Sequence, residues 1–264
     1  MFNVLHGDKV AVDGLLGGAK NHMLVLPDAD LELVADAAVN AGFGSAGERC
    51  MAVSVVLAID TVADALIEKV KERVATLRIG DGRRGTDMGP LITEQHRDKV
   101  AGYIDVAEQD GADVVTDGRG IEVDGEADGF WLGPTLLDRV PTTSRACREE
   151  IFGPVLSIVR IESFQEGVDL INTGVFGNGT AIFTNDGWAA RKFQNEIQVG
   201  MVGVNVPIPV PVAYHSFGGW KQSLFGSSKA YGAAGFDLFT REKAITQRWL
   251  DPSHGGLNLG FPEN

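Results

Sequence analysis

The sequence predicts an α/β domain built on a largely parallel sheet. Two observations lead there. Apolar spacing switches repeatedly between a period near two and a period near 3.6, and strand-like and helix-like stretches alternate along most of the chain. A third observation allows it: 264 residues, 44% hydrophobic and 22% charged, are enough to bury a sizeable core.

In chain order, Leu31, Val34, Ala38 and Val39 recur at helical spacing, with Asp28 and Asp30 as candidate caps. Residues 53–59 form a β-rich run. Residues 62–77 predict an amphipathic helix, with Leu66, Val70, Val74 and Leu77 on one face and Glu68, Lys71 and Glu72 on the other, ended by Gly80-Asp81-Gly82. A helix over 94–109 carries Val100, Ile104 and Ala107, and a turn at 110–113 leads to a short strand at Val114-Val115. The acidic, glycine-rich stretch 117–129 reads as an exposed loop or hairpin. Strands are expected at 155–161, 180–184 and 201–206, and helices at 163–172 and 188–197. Beyond the proline-rich run 207–211, glycines and aromatics indicate loop and excursion rather than another βα unit.

The formal net charge of -13 argues against nucleic-acid binding and against docking to anionic lipid. The longest apolar run, 51–59, falls short of the ~20 residues of a spanning helix. The first residues lack the basic and apolar regions of a signal peptide. Two cysteines, Cys50 and Cys147, make no disulfide framework, so a reducing, cytoplasmic setting is expected. They and His22 lack zinc-ligand spacing, and no metal is expected.

Three segments can carry chemistry. Gly44-Ser45-Ala46-Gly47-Glu48-Arg49-Cys50 sets a thiol among small residues, after a helix and before a strand. Such a cysteine is a candidate nucleophile, and Arg49 could favour the thiolate or bind an anionic group. Equally, a lone cysteine can be a small buried hydrophobe. Glu149-Glu150-Ile151-Phe152-Gly153-Pro154 could hold a sugar diol and shield a ring, or be an acidic turn entering a core strand. Gly17-Gly18-Ala19-Lys20-Asn21-His22 could line a site or be a plain turn.

Taken together, in this order, the three segments resemble the aldehyde dehydrogenase superfamily. Residues 200–205 and 217–223 add to the match, and the semialdehyde-oxidising, CoA-acylating branch is the nearest, through residues 18–22, 47–51 and 225–232. The resemblance covers about 2–249. It implies that Cys50 forms a thioester during NAD-dependent oxidation of malonate or methylmalonate semialdehyde. Its backbone N–H would serve half of an oxyanion hole. Arg49 would hold the substrate carboxylate, Glu150 the nicotinamide ribose, and Phe152 would pack near the nicotinamide. Hydrolytic relatives carry a glutamate base before the Gly-Gly turn, whereas Leu15-Leu16 stand here. That implies CoA as acyl acceptor.

The resemblance also divides the chain. Residues 1–16 match a remnant of the nucleotide-binding domain, 17–215 the thiol-bearing catalytic domain, and 216–264 a return segment, oligomerisation strand and tail. A homo-oligomer is implied, with 240–249 adding a strand to a neighbouring subunit's sheet. The phosphate-binding Gly-rich loop expected between residues 1–16 and the Gly-Gly turn is missing, an internal gap. Two other readings stand beside the enzyme. One is a non-catalytic fragment that associates with full-length homologues. The other is a thiol hydrolase or acyltransferase using Cys50 with His22 or His215 as base.

Overall fold

The computed structural model describes residues 18–123, 129–212, 214–224, 226, 229–247 and 249. The expected remnant at 1–16 and the tail from 250 lie outside them, as do 124–128 of the acidic loop.

A seven-stranded sheet forms the centre. Its strands are β1 (Asn21–Val25), β2 (Val53–Ile59), β3 (Asp113–Thr116), β4 (Thr135–Asp138), β5 (Val155–Ile161), β7 (Gly179–Phe183) and β8 (Met201–Val204), in the order β3-β4-β5-β2-β1-β7-β8. Only β3, at one edge, runs antiparallel. The expected α/β class and the largely parallel sheet are both present. A two-stranded ribbon pairs β6 (Phe176–Gly177) with β9 (Trp220–Lys221).

Helices cover both faces, so the central strands read as near-continuous apolar runs. On one face α1 (Leu31–Phe43) and α2 (Asp60–Val74) bury Val34, Ala38, Leu66 and Val70 against Met23, Val25, Val56 and Ala58. On the other, α3 (Glu94–Gln109), the short α4 (Arg145–Arg148), α5 (Phe164–Thr173) and α6 (Gly187–Glu196) pack against Leu24, Val55, Leu57 and Ile182. Asp30 caps α1 by accepting from the Glu32 and Leu33 N–H groups, and Thr93 caps α3. Asp28, the other candidate cap, instead accepts from Thr184 and Asn185 across the sheet end.

Two boundaries differ from expectation. Helix α2 stops at Val74, well before Gly80, because Ala75 and Thr76 close it with turn bonds and the Thr76 hydroxyl donates to the Arg73 carbonyl. Strand β8 stops at Val204, because Asn205 takes a left-handed φ of 55° and its side chain bonds Thr184. The excursion after 207 holds only β9 and α7 (Ala234–Phe239) as regular elements among its described residues. Its end is open, with Phe239 80% and Trp249 90% exposed. Among the described residues no helix is long and apolar enough to cross a membrane.

Candidate active site

The segments singled out in the sequence meet at the amino ends of β1, β2 and β5. Residues 18–20 lead into β1, the thiol loop precedes β2, and the Glu-Glu-Ile-Phe-Gly-Pro turn precedes β5.

The thiol loop leaves α1 through a tight turn. Ser45, Ala46 and Gly47 have φ of 54°, 54° and 69°, three left-handed residues in succession. Gly47 could be nothing else: a Cβ there would lie 2.2 Å from the Gly153 carbonyl oxygen. That close approach locks the thiol loop to the second segment.

Cys50 is exposed, and its carbonyl is held at two points. The Asn21 side-chain amide donates to it at 2.9 Å and that of Asn178 at 3.0 Å. Asn21 also donates to the Ala52 carbonyl and accepts from the Gly179 N–H, so one side chain ties β1, β2 and β7 to the loop. No described residue accepts the Cys50 N–H.

Arg49 turns back from the thiol. Its Nη2 donates to the carbonyls of Asn40, at 2.8 Å, and Ala41, at 3.3 Å, in the last turn of α1. The guanidinium crosses Gly44 so closely that a Cβ there would meet Nη2 at 2.6 Å. Its Nε is buried without a hydrogen-bond partner, and Nη1 makes no hydrogen bond to a described residue.

In the second segment the two carboxylates do different work. Glu149 accepts from Tyr103 at 2.7 Å and from Arg145 at 2.9 Å. The Arg145 guanidinium, then the Tyr103 hydroxyl, pull its carboxyl down to about 2. Glu150 accepts the Ala19 N–H at 2.9 Å, beside Gly18. Phe152 holds a left-handed φ of 60°, unusual for an aromatic residue, and 38% of it is exposed. Its carbonyl is 2.6 Å from His96 Nε2, which must therefore carry the proton and donate. His96 also lies 3.6 Å from the Glu48 carboxylate in the thiol loop. Burial raises the Glu48 carboxyl, with His96 opposing.

Cys50, Arg49, Glu150 and Phe152 thus line one recess, with Ala19, Asn21 and Gly153. Its volume is about 20 Å³, room for a water and not for a ring. The sequence did not single out Asn178, His96 or Ser223 for roles here. Ser223 donates to the Gly18 carbonyl at 2.7 Å and accepts the Gly177 N–H, pinning the Gly-Gly turn from the far end of the chain. Ser223 falls within the quoted 217–223 match, whereas Asn178 and His96 fall in none of the quoted motifs. His22, a candidate base, is buried on the other side of β1, and desolvation lowers it to about 3. It does not serve Cys50. His215 lies beside Tyr214, ring centroids 4.2 Å apart, and does not line the recess.

Residues 9–245 match the aldehyde dehydrogenase family. This chain belongs to that family. Among its relatives, malonate-semialdehyde dehydrogenase of Pseudomonas aeruginosa is 50% identical over 299 residues, covering 99% of this chain and 60% of the relative. That of Halalkalibacterium halodurans is 46% identical, covering 92% and 50%. The aldehyde dehydrogenase fold agrees too. The crystal structure of methylmalonate-semialdehyde dehydrogenase from Oceanimonas doudoroffii superposes with a TM-score of 0.87 at 52% identity, covering 90% of this chain and 49% of that one. A 1-pyrroline-5-carboxylate dehydrogenase from Thermus with bound NAD gives 0.81 at 29% identity, covering 88% and 44%. The chain spans about half the length of the relatives it matches. The Pseudomonas match runs over more residues than the 264 of this chain, so the alignment steps over positions that have no counterpart here.

Proposed function

We propose that this chain takes part in the NAD-dependent oxidation of malonate or methylmalonate semialdehyde to acetyl-CoA or propionyl-CoA, through a thioester on Cys50. The observation that carries the reading is the state of Cys50. It is an exposed cysteine whose carbonyl is clamped by two side-chain amides, whose N–H is free of described partners, and which shares a recess with Arg49, Glu150 and Phe152.

The chemistry follows from those groups. Cys50 Sγ adds to the aldehyde carbon, and its own N–H faces the negative charge that develops on oxygen. Clamping the carbonyl of residue 50 fixes the adjoining peptides, so that donor need not reorganise during the reaction. NAD, when bound, supplies the hydride acceptor. The acyl group left on Cys50 is then a thioester with a carboxylate on its α-carbon. The carboxylate leaves as CO2, and its bonding electrons pass to the α-carbon, which takes up a proton. Attack by the CoA thiol on the remaining acetyl or propionyl thioester releases acyl-CoA and returns the cysteine. Arg49 has Nη1 left for the substrate carboxylate while Nη2 stays on α1. Leu15-Leu16, where hydrolytic relatives keep a carboxylate base, favour a thiol acceptor over water.

Glu150 and Phe152 fit the nicotinamide end of the cofactor, as a carboxylate and an exposed ring side by side. The recess takes no ring, so the remaining walls of the cofactor site come from beyond the described residues. We also propose the division into a remnant at 1–16, a thiol domain at 17–215 and a return and oligomerisation segment at 216–264, within a homo-oligomer. The second reading, a non-catalytic fragment that associates with full-length homologues, is favoured by the half-length coverage.

The test is to titrate NAD into the protein, add malonate semialdehyde and CoA, and follow NADH and acyl-CoA. Turnover that Cys50→Ala abolishes supports the enzyme. Free acid as product contradicts CoA acylation, and neither binding nor turnover leaves the fragment reading.

A further inference from the structure

A second cavity lies on the side of β1 away from Cys50. Residues alternate across a strand, so Ala19 and Asn21 line the thiol recess while Lys20 and His22 line this one. It measures about 790 Å³, far larger than the recess, and Cys147, Arg148, Glu166 and Asp169 also reach it.

Lys20 is an unusual wall for it. The residue is 5% exposed. Its ammonium nitrogen donates to the Ala146 carbonyl at 2.7 Å and makes no ion pair with a carboxylate among the described residues. A buried ammonium without a counter-ion is costly, and shedding its proton relieves the cost. As a neutral amine, Lys20 keeps the bond to Ala146 and retains a nucleophilic lone pair. Burial pulls it down to about 8, against the opposing influence of Cys147, Glu150 and Glu149. The neighbouring thiol behaves oppositely: burial pushes Cys147 up, which keeps it protonated and unreactive.

We propose that Lys20 is a covalent carbonyl-binding site, whose amine condenses with short aliphatic aldehydes entering this cavity. The nitrogen adds to the aldehyde carbon to give a carbinolamine. Loss of one water then forms the C=N bond, and nothing is oxidised or reduced. The site stands apart from the thiol chemistry, because Cys50 does not line its cavity.

The experiment is reductive trapping. The protein is exposed to propanal and sodium cyanoborohydride across a pH series, and each lysine is scored by peptide mass spectrometry. At pH 7 an amine titrating near 8 has roughly two hundred times the free-base fraction of an ordinary lysine. Allowing for restricted access, Lys20 should label at least ~tenfold faster than the exposed Lys99 and Lys243. Its rate should level off above pH 8, and Cys50→Ala should leave it unchanged. Labelling of Lys20 no faster than of Lys99 and Lys243, or a rate still climbing above pH 10 as theirs do, would overturn the proposal.

Discussion

Gly47 carries two constraints that can be separated. Its φ of 69° belongs to the left-handed region, and a Cβ on it would collide with the Gly153 carbonyl. Gly85 has the same φ but open space around it. Gly85→Ala should therefore cost only the left-handed penalty, about 1–2 kcal/mol. Gly47→Ala adds a collision with backbone that cannot swing aside, and should cost more than about 4 kcal/mol. Urea unfolding of the two variants checks this, and equal losses would show that the two loops are not in contact. The reason for a glycine at 47 was not legible in the sequence, because the contact is with a residue about a hundred positions away. Cys50 stands out in the sequence, which leaves open whether it is a nucleophile or a small buried hydrophobe; the structure exposes it. The direction of Arg49 was not: the sequence places it beside Cys50, whereas the structure turns it onto the carbonyls at the end of α1.

At the scale of elements, the strand and helix assignments held best where periodicity was long and caps were explicit. Strands β2 and β5 and helix α3 occupy the expected residues. Among the short pieces β3, β7 and β8 match expected strands, whereas β1, β4 and α4 have no expected counterpart. β1 and β4 have too few residues to establish a period, and α4 is a single turn whose role is tertiary. That turn matters, because it presents Arg145 to Glu149 and Tyr103, tying the Glu-Glu turn to α3. A carboxyl held near 2 in the fold, below its ordinary value, adds stability that is complete above about pH 4.5 and disappears as the pH falls toward 2. The pair is largely exposed, so solvent screening keeps the gain small. Glu149→Gln should therefore trail the parent protein at pH 6 and match it near pH 2. Urea midpoints across that range decide the point, and a gap that stays constant with pH would contradict the assignment.

Over the whole molecule, strands buried on both faces carry three segments, distant in sequence, to their amino ends. Open α/β sheets more commonly place ligands at the carboxyl ends of their strands. Here the recess is built from the loops that enter β1, β2 and β5, held by Asn21, Asn178 and Ser223. The sequence conveyed the layer architecture and the set of segments, but not these long-range amide and hydroxyl ties, which have no periodicity to betray them. The central claim is that Cys50 carries the acyl group. It is tested most directly by incubating the protein with malonate semialdehyde and NAD without CoA, quenching in acid, and mapping the acyl mass by peptide. The account predicts the acyl group on Cys50, removed when CoA is added before the quench. An acyl group on Cys147, or one on Cys50 that CoA does not remove, would contradict it.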